Sequence, residues 1–212
     1  MQHQDDEQGS VHMDVNSSKA TIRDVVESWA IWRDSGQWEK LATCWHPDGR
    51  MVATWFTGSV EQFVAGCKAN WDRGGMSCHF LGGVDIEING SRAIVQTKMQ
   101  ILGRSSLEGI LCDTCCTGRF YDFFEERNGR WAIVLRQPVY EKDRADPVNP
   151  NEAFTLDESL ASQFPVGYRH LAYAQTQEGR TVRKDLPGLR GAEIEALYAE
   201  GRDWLAGLPL RR

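Results

Sequence analysis

Five histidines, at positions 3, 12, 46, 79 and 170, are the residues from which acid–base chemistry near neutral pH is most readily built. His3 and His12 fall in a polar, acidic N-terminal stretch, and His46 stands in the turn-like His46-Pro47-Asp48-Gly49. His79 is placed differently. Met76-Ser77-Cys78-His79-Phe80-Leu81-Gly82-Gly83 sets it early in a strand, where the glycine pair predicts a bulge or kink. His79 and Leu81 then face the concave side, and Val84, Ile86 and Ile88 resume that side after the bulge. A histidine in this position is either half-buried and bonded to a carbonyl, or a base.

Asp34 closes the first helical segment in Trp32-Arg33-Asp34-Ser35-Gly36-Gln37-Trp38. A carboxylate at a helix C-terminus opposes the macrodipole by about 0.3–1 kcal/mol, so its place there needs a cause. One cause is that Asp34 or Ser35 caps the next helix. The other is that Asp34 fixes the tautomer of a histidine and stabilises its protonated form, leaving the second ring nitrogen free as a base.

The six cysteines, at 44, 67, 78, 112, 115 and 116, lack the spacing of a disulfide framework and predict reduced, buried, inert thiols in a cytoplasmic protein. Cys112-x-x-Cys115 has no second Cys/His pair to complete a zinc site, and residues three apart on a strand point to opposite faces. No metal is expected. The 212 residues carry 24 Lys+Arg against 30 Asp+Glu, a net charge of −6, with no basic run, which argues against nucleic acid. No apolar stretch approaches the roughly 18–20 residues of a membrane span, and the N-terminus lacks the apolar core of a signal peptide. Eight Trp and eight Phe, several Trp lying close together early in the chain, suit an aromatic-lined cavity as well as a core.

The elements that must position Asp34 and His79 follow from periodicity. Residues 1–18 read as a flexible tail. A helix over 19–33 carries Ile22, Val25, Val26, Trp29 and Trp32 on one stripe, and Ser35-Gly36 stops it. Trp38, Leu41, Ala42 and Trp45 mark a short second helix, 51–57 is β-rich, and Ser59 caps a third helix bearing Phe63, Val64, Cys67 and Trp71. Four strands are expected over 77–89, 92–102, 109–126 and 130–140. They are separated by Asn89-Gly90, a 103–108 loop and Asn128-Gly129, the Asn-Gly steps being hairpin signals. On the second of these, Ala93, Val95, Thr97, Met99 and Ile101 share one face. The fold class is therefore α+β: a curved antiparallel sheet covered on one face by about three helices. Residues 143–151 read as a linker and 192–206 as a last helix. The whole of 143–212 forms an extension packed on the domain or on a neighbouring subunit, with Phe154, Leu156, Phe164, Tyr168 and Tyr173 placed to cover the cavity mouth.

Trp32-Arg33-Asp34-Ser35-Gly36-Gln37-Trp38-Glu39-Lys40-Leu41, Cys78-His79-Phe80-Leu81-Gly82-Gly83 and Asn128-Gly129-Arg130-Trp131 together resemble the NTF2-like superfamily in its SnoaL-like branch, over roughly residues 20–142. More narrowly they resemble scytalone dehydratase and hexachlorocyclohexane dehydrochlorinase. The resemblance implies a cone of helices and sheet, with His79 as general base, Asp34 as its orienter, and no metal or organic cofactor. The pocket tyrosines of scytalone dehydratase are replaced here by Arg33 and the Ala53-Thr54 region, and its second catalytic histidine falls near Cys115 to Thr117. Arg136 matches a basic residue that helps the leaving group in the dehydrochlorinase, or else lies on the outer sheet face. Trp29 lines the cavity or only packs in the core.

The expected site is thus His79 and Asp34, with Trp29, Arg33, Thr54, Leu81, Met99, Cys115 and Arg136 binding substrate. The expected activity is a cofactor-independent lyase acting on a hydrophobic, aromatic small molecule, in a homo-oligomer (dimer or trimer). The alternatives are a formaldehyde-releasing C–C lyase on diaryl compounds and a non-catalytic binding or assembly module.

Overall fold

The helical period of the first segment becomes α1 (Val15–Asp34) in a computed structural model, which describes residues 14–211. Ile22, Val26, Trp29 and Arg33 are buried along one stripe. The helix starts at Val15 rather than at residue 19, because extending a nucleated helix adds one hydrogen bond for each residue fixed. Residues 15–18 are therefore helix and not tail, and Ser18 is buried. The rest of the expected tail, with His3 and His12, lies outside the described residues.

After α2 (Trp38–Ala42), the chain enters β1 (Trp45–Ala53) and β2 (Phe56–Ser59), then α3 (Val60–Asp72). The expected single strand over 51–57 is thus a hairpin turned at Thr54-Trp55, with Ala53 opposite Phe56. Ser59 caps α3 through a reciprocal pair with Gln62. Four long strands follow: β3 (Met76–Asn89), β4 (Arg92–Leu107), β5 (Ile110–Arg127) and β6 (Arg130–Pro147). The sheet order is β2-β1-β6-β5-β4-β3. The pairing of β1 with β6 is parallel, which corrects the expectation of a wholly antiparallel sheet. That pairing breaks between Trp45 and Arg50, so His46-Pro47-Asp48-Gly49 is an irregularity inside β1 and not a free turn; Pro47 has no N–H to offer the ladder.

The expected bulge at Gly82-Gly83 is present as a register shift between Leu81 and Val84. At the β5–β6 turn Asn128 and Gly129 both take positive φ, 54° and 75°, as a type I′ turn requires. At the β3–β4 turn the central residues are Gly90 and Ser91, one place later than expected, because Asn89 pairs with Arg92. The expected 103–108 loop is replaced by paired strand up to a two-residue turn at Glu108-Gly109, both with positive φ. Glu108 holds this conformation because its carboxylate accepts from Tyr173 Oη and Gln177 Nε2.

The expected linker at 143–151 is also corrected: β6 pairs with β5 as far as Cys112 opposite Pro147. Pro138 is tolerated inside β6 because β1 pairs only as far as Arg136, and the freed edge is taken by the C-terminal region, Tyr140 N–H donating to Pro187 O. The extension then forms α4 (Glu158–Ala161), a 3-10 turn (Val166–Tyr168), α5 (Arg169–Gln177) and α6 (Ala192–Leu205). It packs on both faces of this chain's own sheet. Arg119, Tyr121 and Phe123 alternate along β5 with Phe120 and Asp122, and α6 lies on the first set: Tyr198 against Arg119 and Tyr121, Trp204 against Phe123. α1, α3 and α5 lie over the opposite, concave face. Among the described residues no helix is long and apolar enough to cross a membrane.

Candidate active site

Asp34, the last residue of α1, faces β3 instead of capping α2, whose N-terminus has no side-chain cap. Its Oδ1 accepts from His79 Nδ1 at 2.8 Å and its Oδ2 from the backbone N–H of His79. One carboxylate thus grips both ring and main chain, which sets the ring angle and places the proton on Nδ1. Both bonds to Asp34 come from the His79 main chain and Nδ1, and neither uses Nε2. Burial lowers the His79 pKa below its ordinary value, against the pull of the Asp34 carboxylate, so the neutral ring dominates at pH 7. The macrodipole penalty on Asp34 is offset by these two bonds and by Arg33 Nη1 at 3.9 Å.

The ring stands edge-on to Trp29, centroids 4.9 Å apart, and Trp29 stands edge-on to Phe120 at 5.0 Å. Beneath them Arg136 is fully buried, its Cζ 4.4 Å from the Trp29 ring and 4.2 Å from that of Phe120. Asp122, also fully buried, accepts two bonds from Arg136, at 2.7 and 2.6 Å. Pairing of this quality is what permits two charges in a core, and removing either partner would strand the other. Arg136 Nη1 has no partner among the described residues.

A cavity of about 130 Å³ opens above His79. Trp29 and Arg33 border it from α1, Ala53 and Thr54 from β1 and its turn, Phe63 and Cys67 from α3, and Phe120 and Tyr140 from the sheet. Leu171, Gln175 and Arg180 border it from α5 and the loop beyond. Thr54 Oγ1 donates to Gln175 Oε1 at 2.6 Å, tying the first hairpin to the extension.

Of the expected substrate-binding set, Trp29, Arg33 and Thr54 border this cavity with His79. Leu81, Met99, Cys115 and Arg136 do not. Leu81 and Met99 are cross-strand partners two residues further along from His79 and pack into the core. Cys115 points the other way from Thr114, which takes the place expected for it; a one-residue step on a strand reverses the face. Arg136 lies one layer down, touching the cavity only through Trp29 and Phe120. None of Phe154, Leu156, Phe164, Tyr168 and Tyr173 borders the cavity: Phe164 and Tyr168 pack into the main core and the other three into a second small one, and the extension reaches the cavity through Leu171, Ala174, Gln175, Glu178 and Arg180 instead. Cys78 is exposed, contrary to the expectation of buried thiols, because alternation that turns His79 inward turns Cys78 outward. The missed residues are Tyr140, Gln175 and Arg180, and they share no local signal with the motif around Asp34.

Residues 16–137 match the SnoaL-like domain family, a match that ends ahead of α4, α5 and α6. Pea pathogenicity protein 2 of Fusarium vanettenii is 35% identical over 198 residues, covering 88% of this chain and 84% of that protein. Among solved structures, LinA superposes with a TM-score of 0.54 at 19% identity, over 66% of this chain and 95% of the other. A type 2 hexachlorocyclohexane dehydrochlorinase (LinA) gives 0.52 at 16% identity, over 67% and 95%.

Proposed function

We propose that this chain, which belongs to the SnoaL-like domain family, is a lyase that eliminates a leaving group from a hydrophobic, aromatic small molecule with its own side chains and no metal or organic cofactor. One observation carries this reading: a histidine on the wall of an aromatic-lined cavity whose Nδ1–H is held by the Asp34 carboxylate at 2.8 Å, an arrangement that leaves Nε2 for a substrate, while burial favours the neutral ring. His79 Nε2 removes a proton from a carbon of the substrate. The C–H electron pair becomes the new double bond, and the leaving group departs with the electrons of its own bond. Where hydroxide leaves, the imidazolium returns the proton to it, so water is released without an outside donor. Asp34 stabilises the imidazolium between these steps. The buried Arg136, its charge met by Asp122, holds Trp29 and Phe120 in place beside the base. The fold shared with a hexachlorocyclohexane dehydrochlorinase supports the reading as a precedent of scaffold.

The test is turnover of aryl ketones bearing a β-hydroxyl or β-halide, followed by the absorbance of the conjugated product. His79→Ala is expected to lower kcat by about 10²–10⁴-fold with an unchanged circular dichroism spectrum, and Asp34→Asn to lower it heavily by releasing the ring. Full turnover by folded His79→Ala would reject His79 as the base.

A further inference from the structure

Two guanidinium groups reach the cavity from distant parts of the chain, Arg33 from α1 and Arg180 from the loop after α5. Both border the cavity together with the buried Cys67 of α3. Their charges are incompletely met. Arg33 donates to Ser77 Oγ at 3.1 Å and stands 3.9 Å from Asp34 Oδ1, but both oxygens of Asp34 are already engaged by His79. Arg180 is held from behind: Nη2 donates to Asn70 Oδ1, the guanidinium lies 4.9 Å from the Trp55 ring, and Nε is 3.3 Å from a solvent-washed Glu178 Oε2. Arg104 also borders the cavity, but Asp113 takes it in a two-bond pair on the surface. Burial works against the charge on Arg180, and Glu178 only partly offsets it. A buried and a half-buried guanidinium on one cavity, with donors left over, are what a bidentate anion would satisfy.

We propose that Arg33 and Arg180 together bind a carboxylate on the substrate, so that the ligand of this cavity is an aromatic acid. The cavity, at about 130 Å³, is close to the size that takes a benzene ring. Trp29, Phe63 and Phe120 supply the apolar walls for the ring, and the carboxylate sits at the mouth between the two arginines. Arg180 lies beyond the family match at 16–137, so the acid recognition is supplied by the extension to a cavity built by the common fold. The inference rests on this cavity being the substrate site, but on binding and not on turnover.

The test is calorimetric titration of the full-length protein with benzoate and with its neutral isostere benzamide. Benzoate is expected to bind about tenfold or more tightly than benzamide. Arg180→Gln and Arg33→Gln are each expected to bring the two ligands to within about twofold, through loss of benzoate affinity. Arg180→Lys, which keeps the charge and stem but not the fork, guards against misfolding of the Gln variant and is expected to weaken benzoate while sparing benzamide. The readout is equilibrium binding and not turnover, so a failed lyase assay and a failed acid site are separable. Benzoate binding no tighter than benzamide on the wild type, or a preference that survives both Arg180→Gln and Arg33→Gln, would overturn the proposal.

Discussion

His79 is the residue at which burial and charge compete. Its ring is desolvated, which favours the neutral form, while Asp34 favours the charged one, and burial dominates. A base must be neutral to work, so kcat/KM is expected to stay flat from neutrality down to about pH 6.5, the ordinary histidine value, and to fall only below it. A pH–rate profile with its acid limb centred above pH 7 would contradict this. The same shift acts on stability with a definite sign. Above pH 6.5 both folded and unfolded states hold a neutral ring. As pH falls below 6.5 the unfolded chain takes up the proton first, so stability is lost progressively until the lower folded pKa is reached. Arg136 and Asp122, by contrast, stay paired in the dry layer beneath and contribute orientation to Trp29 and Phe120.

At the scale of elements, α6 is set on the sheet by close approach. Trp204 Nε1 donates to Phe124 O at 3.2 Å, Arg92 lies 3.9 Å over the Trp204 ring, and Gly201 rests on Tyr121. A Cβ at Gly201 would meet Tyr121 Oη at 1.9 Å, and the buried tyrosine ring has no room to withdraw. Gly201→Ala is therefore expected to destabilise the protein by about 1–3 kcal/mol, read as a lower Tm, because the helix must lift from the sheet. Turnover below the transition should be unchanged, since α6 lies on the face away from the cavity. An unchanged Tm would show that the helix is not seated as described. α5 has the opposite character: Asp143 of β6 accepts from the N–H of Leu171 and from His170 Nδ1, anchoring the start of the helix that walls the cavity.

For the whole molecule, the extension is part of the core. Tyr168, Ala172, Tyr173 and Leu197 are fully buried, and one small core consists of Leu107 and Cys112 from the sheet with Ala161, Tyr173 and Ala174 from the extension. Ending the chain after Asn151 would bare apolar surface on both faces of the sheet at once. Such a chain is expected to lose cooperative thermal unfolding by circular dichroism and to aggregate. A truncated protein that melts at the full-length Tm would show instead that the family-matched region folds alone.

What the sequence determined by itself was whatever is written in local spacing. The stripe of Ile22, Val26 and Trp29, the Ser59 cap, the Gly82-Gly83 bulge and the Asn128-Gly129 turn each depend on neighbours within a few residues, and each was legible. The cost of Asp34 at a helix end was local too, but it left capping of the next helix and the holding of a histidine both open until the fold was known. The meeting of Asp34 with His79 was legible only by resemblance, because 45 residues separate them and no periodicity links them. The tertiary structure decided the rest. Strands such as β4 and β6 ran past their apolar patterns because a paired partner satisfies backbone groups that sequence composition leaves unassigned. Arg136 was drawn into the core by Asp122, which a one-residue change of register would have turned to the other face. Arg180 reached the cavity because burial of Leu171, Ala172 and Tyr173 carried α5 onto the mouth, and packing across 110 or more residues, such as Arg180 on Asn70, has no signature in the order of residues alone.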